Sequence, residues 1–304
     1  MYESLLLVVI GLNIWADFMD RRAARGSNVF AMSLWTTVVQ FLLVLPLIGL
    51  AHTITAPQLV ICALVGAFSA LARIAWYQAL SQSRERLSRL APFSRISSVI
   101  VLAFAFVVLG EVFTPPKAFG AGLMILGAFT MSFDRTFTTP RDYFTNNRAL
   151  GLVLIFAFST ASISIFYKYM LNNSVPIISV YFYLKLFQLV AISMFTFHKE
   201  HFFNSYSSIL NIKLFVKARA VQTLAAFIFL FVLRYLDLSV VEPIAAAATP
   251  IAFLVIEKYS DYRRSRRVMI EGAASAEQPQ GRRQRVKYVA IAIIAVGLLV
   301  MVGG

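Results

Sequence analysis

Lys185 is the residue of this chain whose chemistry is clearest from its position, because it lies near the centre of the apolar run 176–197. Insertion scales put the cost of a charge at the centre of a membrane-spanning helix at about 2.5–3.5 kcal/mol, so such residues usually face a cavity or a partner. Gln188 follows three positions later, which places both side chains on one face of a helix. Such a lysine could hold an anionic group by charge-assisted hydrogen bonds, and a structural ion pair is the alternative.

Polar and aromatic residues in two other apolar runs are candidates for the same site. Gln40 in the second run occupies the place that Gln188 has in the seventh. Arg73 lies in the third run, one helical turn before Tyr77, although snorkelling of the guanidinium towards the membrane surface is an alternative. The predicted substrate-binding residues are Lys185, Gln188, Gln40, Arg73, Trp76 and Tyr77.

Signals for other kinds of chemistry are weak in this sequence. Asp17 ends the first apolar run, where a cap is expected, and Glu242 could carry a proton but fits an interfacial position. His198 and His201 are three residues apart without an obvious third ligand, so we predict no metal site. The sequence shows no nucleophile–base set, phosphate-binding loop or nucleotide signature. We therefore predict neither an enzyme nor a cofactor.

The composition indicates an integral membrane protein. Hydrophobic residues make up 59% of the 304 residues and charged residues only 14%, whereas a soluble domain holds roughly 45–50% apolar residues. The net charge of +14 could suggest a nucleic-acid partner. Because the basic residues lie in short loops between apolar runs, orientation in a bilayer explains them better, and no nucleic acid is expected.

Ten apolar runs are long enough, or nearly so, to cross a bilayer as helices, which takes about 17–25 residues. Lipid admits helices because their backbone hydrogen bonds are satisfied internally. The predicted spans are 2–18, 29–50, 58–80, 90–109, 118–133, 149–169, 176–197, 215–233, 239–256 and 286–302.

The ten spans divide into two sets of five, so we predict two inverted five-helix repeats. Residues 1–134 and 149–304 align weakly, with Gln40 matching Gln188, Trp35 matching Tyr183 and Ala79 matching Tyr235, and 135–148 reads as the linker. An odd number of spans per repeat places the second repeat upside down in the membrane.

Loop charges agree with an inverted arrangement. The five loops that follow odd-numbered spans, counted together with the span ends next to them, hold 22 of the 28 basic residues. Nine of these belong to the basic, low-complexity loop 258–285 and the start of the span after it. The positive-inside rule makes that side cytoplasmic and puts both termini outside. The loop 258–285 is predicted to be a disordered topology anchor, or else a surface for anionic lipid or a partner.

The stretch 102–129 carries the features that resemble a known family. Two apolar runs meet there at a glycine–glutamate corner, and a proline pair and a glycine-bearing helix follow. The residues concerned are Gly110, Glu111, Pro115, Pro116, Gly120, Gly122 and Gly127. This arrangement resembles the end of an EamA-type repeat in the drug/metabolite transporter superfamily. The resemblance implies a ten-helix transporter of small metabolites, amino acids, nucleotide sugars or drugs. It also implies cytoplasmic termini, which is opposite to the orientation that the loop charges predict.

These observations together predict a secondary transporter in the cell (inner) membrane. A small organic metabolite with an anionic group would bind between the halves and cross by alternating access. The expected partners are this substrate, membrane lipid, and a coupling proton or counter-substrate. The alternative is a membrane scaffold or accessory subunit that docks a partner through the basic loop.

Overall fold

The computed structural model describes residues 2–24, 28–82, 96–111, 114–132, 148–197, 212–248, 251, 289–297 and 299–300. Within these residues the chain forms ten α-helices and no strand, which confirms the predicted all-helical class. The helices are α1 Tyr2–Ala24, α2 Val29–Val44, α3 Ala56–Gln82, α4 Ile96–Leu109, α5 Pro115–Ser132, α6 Arg148–Asn172, α7 Ile177–Phe197, α8 Ile212–Tyr235, α9 Leu238–Ala248 and α10 at 289–297. The inverted relation between the halves stays a prediction.

Several of these helices are suited to a bilayer, so the chain is a multi-pass membrane protein. In the described part of the chain, five segments are long and apolar enough to span a membrane, and shorter apolar helices accompany them. The five are Val29–Leu50, Ala56–Ala79, Gly151–Asn172, Ile177–Thr196 and Ile212–Tyr235. The first of them is an α-helix only as far as Val44 and continues as the 3-10 helix Leu45–Leu50. Pro46 lies at the start of this tighter helix, where it has no amide hydrogen to donate.

Gly110 and Pro115 mark the two ends of the corner between α4 and α5. Gly110 ends α4 with a positive φ of 66°, and the Glu111 amide donates to the Ala105 carbonyl, as is common after a helix-terminating glycine. Pro115 is the first residue of α5 and not part of the preceding turn, because a helix tolerates proline in its first turn.

Two buried charged side chains hold the short turn between α8 and α9. Both oxygens of the Glu111 carboxylate accept backbone N–H groups at the start of α9, from Leu238 and Ser239, at 2.9 Å each. On α6, the Lys168 ammonium donates to the carbonyls of Leu233 and Leu236 at the end of α8, at 3.0 and 2.8 Å. An anion at the start of a helix and a cation at the end of a helix both interact favourably with the helix dipole. The first and second halves of the chain therefore both anchor this turn.

The helices pack mainly across the two halves of the sequence. Helix α3 lies against α6 and α7, α1 lies against α8, and α2 lies against α7. Helix α5 approaches α10 closely at Gly127, where a Cβ atom would lie 2.6 Å from Ile294 Cγ1. The cross-half packing brings α2, α3, α7 and α8 together around one polar cluster.

Several sequence predictions fall on parts of the chain outside the described residues. These are almost all of the linker 135–148, the histidines His198 and His201, and the basic loop 258–285. Asp17 lies within α1, but its side chain is outside the description.

Candidate functional site

Lys185 is buried at the centre of the helix assembly. It is the ninth of the 21 residues of α7, and only 5% of its surface is exposed. Its ammonium donates to Gln40 Oε1 on α2 and to Gln188 Oε1 one turn along α7, both at 2.9 Å. The Tyr181 ring lies beside it, with the ring centroid 5.2 Å from Nζ. An ammonium has three donors, so two are used by neutral amides and an aromatic ring lies close by.

Arg73 of α3 joins the same cluster from the opposite side. Its guanidinium donates to Gln40 Oε1 at 3.1 Å, so it points into the protein and is not extended towards the membrane surface. One neutral amide oxygen therefore accepts hydrogen bonds from two cationic groups, Lys185 and Arg73. Gln188 is oriented through its other end, because its Nε2 donates to the Ser69 carbonyl of α3 at 3.3 Å.

The cluster has an excess of positive charge. Among the side chains that the structure describes, no carboxylate lies within ion-pair distance of Lys185 or Arg73. Two cations that lie close together in a buried site repel each other, and a neutral amide compensates only part of their lost hydration. An anionic group between them would supply the missing charge.

Helix α8 adds two residues to the cluster that the sequence analysis missed. Gln222 Oε1 accepts from Gln40 Nε2 at 2.8 Å and from Arg219 at 2.7 Å. Arg219 lies near the start of the predicted span 215–233 and is one of the 22 basic residues assigned to one side of the membrane, yet it is fully buried within α8. Its spacing of three residues from Gln222 matches that of Lys185 from Gln188, and this repeated pattern was the signal available in the sequence.

The two predicted aromatic residues lie apart from the Lys185 contacts. The Trp76 ring stacks on Phe156 of α6, with 4.7 Å between centroids. The Tyr77 hydroxyl is 3.2 Å from Thr36 Oγ1 and pairs α3 with α2. The structure therefore brings four of the six predicted residues into direct contact, and Trp76 and Tyr77 support the helices around them.

Acidic side chains occur at a different interface. Ser98 of α4 donates to Glu242 of α9 at 3.4 Å, so this carboxylate lies within a helix interface. No group of three or more His, Cys, Asp or Glu side chains that could hold a metal ion occurs among the residues that the structure describes.

Comparisons with known proteins relate the first part of the chain to a protein family and the whole chain to a known fold. Residues 4–133 match the model of the EamA-like transporter family. A solved structure titled "Crystal structure of protein" superposes with a TM-score of 0.68 at 14% sequence identity, over 99% of this chain and 98% of that one. At this identity the likeness concerns the fold alone. No curated protein matches the sequence.

The family match is confined to the first part of the chain and covers less than half of its 304 residues. Over residues 4–133 the chain is similar to the EamA-like transporter family, which is consistent with the drug/metabolite transporter superfamily. Members of this family are transporters and not enzymes. For its members, a transporter family implies a small-molecule substrate and a lipid environment.

Proposed function

We propose that this protein is a secondary transporter of a small organic metabolite that carries an anionic group, such as a carboxylate or phosphate. The observation that carries the proposal is the shared oxygen of Gln40, which accepts hydrogen bonds from both Lys185 and Arg73. An anionic oxygen at this place would receive the same donors and would also neutralise their charge. Charge-assisted hydrogen bonds are roughly twice as strong as those between neutral groups.

The position of the cluster suits alternating access. Its residues come from α2 and α3 of the first half and from α7 and α8 of the second, so a bound substrate would contact both halves. In secondary transporters built from repeats, substrate sites lie near the midplane between the repeats, and the halves rock around them. The proposed location is the inner membrane, with a proton or counter-substrate as the coupling species.

The test is uptake into proteoliposomes of a panel of carboxylates, phosphorylated metabolites, neutral amino acids and cations, with and without a pH gradient. We expect uptake of at least one anionic class. Lys185→Met keeps the side-chain length but removes the charge, and it should lower that uptake at least about tenfold, which corresponds to roughly 1.4 kcal/mol. Lys185→Arg should restore part of the activity.

Lys117 on α5 supplies a matched control for the same change of residue type. It lies away from the Lys185 cluster in the first turn of its helix and is half exposed. Lys117→Met should leave uptake within about twofold of the parent protein, because surface substitutions usually have small effects. Normal anion uptake by Lys185→Met would contradict the anionic assignment, and failure of every substrate class would favour the scaffold alternative.

A further inference from the structure

The hydrogen bonds that end on Gln222 determine which way the Gln40 amide faces. Gln222 Oε1 accepts from Arg219 at 2.7 Å and from Gln40 Nε2 at 2.8 Å. An amide has its donor and its acceptor at opposite sides of one group. With its nitrogen directed to Gln222, Gln40 must present its oxygen to Lys185 and Arg73.

The Gln40 oxygen thereby occupies the place between Lys185 and Arg73 that an anionic oxygen would take. If an anion binds Lys185 and Arg73, it competes with Gln40 Oε1 for the same donors. The amide oxygen of Gln40 is neutral and is the weaker acceptor of the two. The Gln40 side chain would then be displaced, and its hydrogen bond to Gln222 would be distorted or broken.

The Gln40–Gln222 bond also joins two helices, α2 and α8. These helices meet over a shorter stretch than α3 and α7 do. Polar bonds between helices in lipid contribute about 0.6 kcal/mol on average and up to about 1.7 kcal/mol, so one such bond is strong enough to bias a transition between two states and weak enough to break.

We propose that Gln222 is a positioning residue that latches α8 to α2 through Gln40 while the site is empty, and that an anionic substrate releases this latch. The inference rests on the proposed function for the identity of the releasing ligand, but not for the latch itself. Release would loosen the α2–α8 contact and permit the change in access. Substrate binding and helix movement would then be coupled through one amide group.

The experiment measures how fast a water-soluble thiol reagent reaches the α2–α8 contact in proteoliposomes. Ala218 is fully buried on α8, one turn before Gln222. The reporter protein carries Ala218→Cys with the native thiol removed by Cys62→Ala. The control is the parent protein, whose only thiol, Cys62, is buried on α3 one turn before Gly66.

Two nearly isosteric variants of Gln222 should act in opposite directions. Gln222→Met removes the acceptor and should speed labelling at position 218 by about fivefold, the population change for a net hydrogen bond of about 1 kcal/mol. Gln222→Glu keeps an oxygen for both donors and turns the hydrogen bond from Arg219 into an ion pair, so it should slow labelling. A merely structural role predicts damage from both substitutions, and hence faster labelling in both. Labelling of Cys62 in the control protein should stay slow with either substitution.

Sodium succinate and sodium phosphate are the anionic probes, compared with sodium chloride at equal ionic strength. At least one probe should speed labelling at position 218 in the reporter protein that keeps Gln222. In the same reporter, Lys185→Met should abolish the acceleration by the probe, whereas Gln222→Met should still speed labelling. A Gln222→Met rate within twofold of the reporter would overturn the latch, even if a probe acts and the proposed function stands. Variant effects without any probe effect would keep the latch but overturn its release by an anion.

Thermal unfolding of the empty, purified proteins gives a second measurement if a reporter labels poorly. Gln222→Met should unfold at a lower temperature than the parent, and Gln222→Glu at the same temperature or a higher one. Equal destabilisation by both variants would overturn the proposal.

Discussion

Two helix contacts beside the Lys185 cluster differ in the residue at their centre. Where α3 meets α7, a Cβ atom at Gly66 would lie 2.6 Å from Phe187 Cβ and 2.9 Å from the Gln188 backbone nitrogen. Where α8 meets α2, Gln222 reaches Gln40 through a 2.8 Å hydrogen bond between side chains. One contact is a direct approach of backbones, and the other depends on amides that can exchange partners.

The difference suggests a division of roles. A close backbone approach is maintained by van der Waals packing, which rearranges only at a large cost. A single side-chain hydrogen bond can be broken when a better acceptor arrives. The sequence register that pairs Ala79 with Tyr235 also pairs Gly66 with Gln222. In the proposed repeat, equivalent positions would thus provide a fixed contact in one half and a releasable contact in the other.

The largest effect is expected at the fixed contact. Gly66→Ala places a methyl group against the backbone of Phe187 and Gln188. A flexible side chain could move away from this methyl group, but a helix backbone cannot. Overpacking of this kind typically costs about 1–3 kcal/mol. We expect a lower folded yield and a lower unfolding temperature in detergent. Unchanged stability would show that the α3–α7 contact is as adaptable as the α2–α8 contact.

A somewhat smaller effect is expected at the turn between α8 and α9. If the α2–α8 contact can be released, this turn must hold the end of α8 in place. Glu111→Gln replaces one acceptor oxygen with a donor that faces the N–H groups of Leu238 and Ser239. Loss of a helix-capping acceptor costs about 0.5–2 kcal/mol. Thermal unfolding should detect this loss, and Glu111→Asp should not restore stability because its shorter chain cannot reach both amides. A Glu111→Gln protein as stable as the parent would show that the turn does not depend on this carboxylate.

A double-mutant cycle would measure the releasable contact directly. Gln40→Ala and Gln222→Ala should each destabilise the empty protein, and the double variant should lose less than their sum. The coupling expected for one interhelical hydrogen bond is about 0.6–1.7 kcal/mol. Gln40→Ala combined with Gly122→Ala, on a distant part of the fold, is the control and should be additive. Additivity of the Gln40 and Gln222 substitutions would remove the basis for the latch.

The smallest effect is expected at Gly122, which is the matched control for Gly66→Ala. A Cβ atom at Gly122 would meet no atom within 4 Å, although both glycines lie inside helices. Alanine is favoured over glycine in a helix interior by about 0.8–1.0 kcal/mol in soluble hosts. Gly122→Ala should therefore leave the unfolding temperature unchanged or raise it slightly. A large loss would mean that glycine at this position serves an interface beyond the described residues.

The sequence alone determined that this is a helical membrane protein, and it identified part of the candidate site. Apolar runs of bilayer length require helices, because only helices satisfy their own backbone groups in lipid. Lys185 and Gln188 share a face because three residues make nearly one helical turn. Such features depend on neighbours in the chain, so they can be read before any fold is known.

Only the tertiary structure decided which helix faces meet. It buried Arg219 inside the helix assembly, joined it to the candidate site through Gln222, and directed Trp76 towards α6. Hydropathy does not distinguish these alternatives, because a polar residue near a helix end satisfies the same pattern whether it points to water or to a buried partner. Partners such as Gln40 and Gln222 are 182 residues apart in sequence, and no local rule relates them. Their contact depends on the packing of α2 against α8, which is a property of the whole helix assembly.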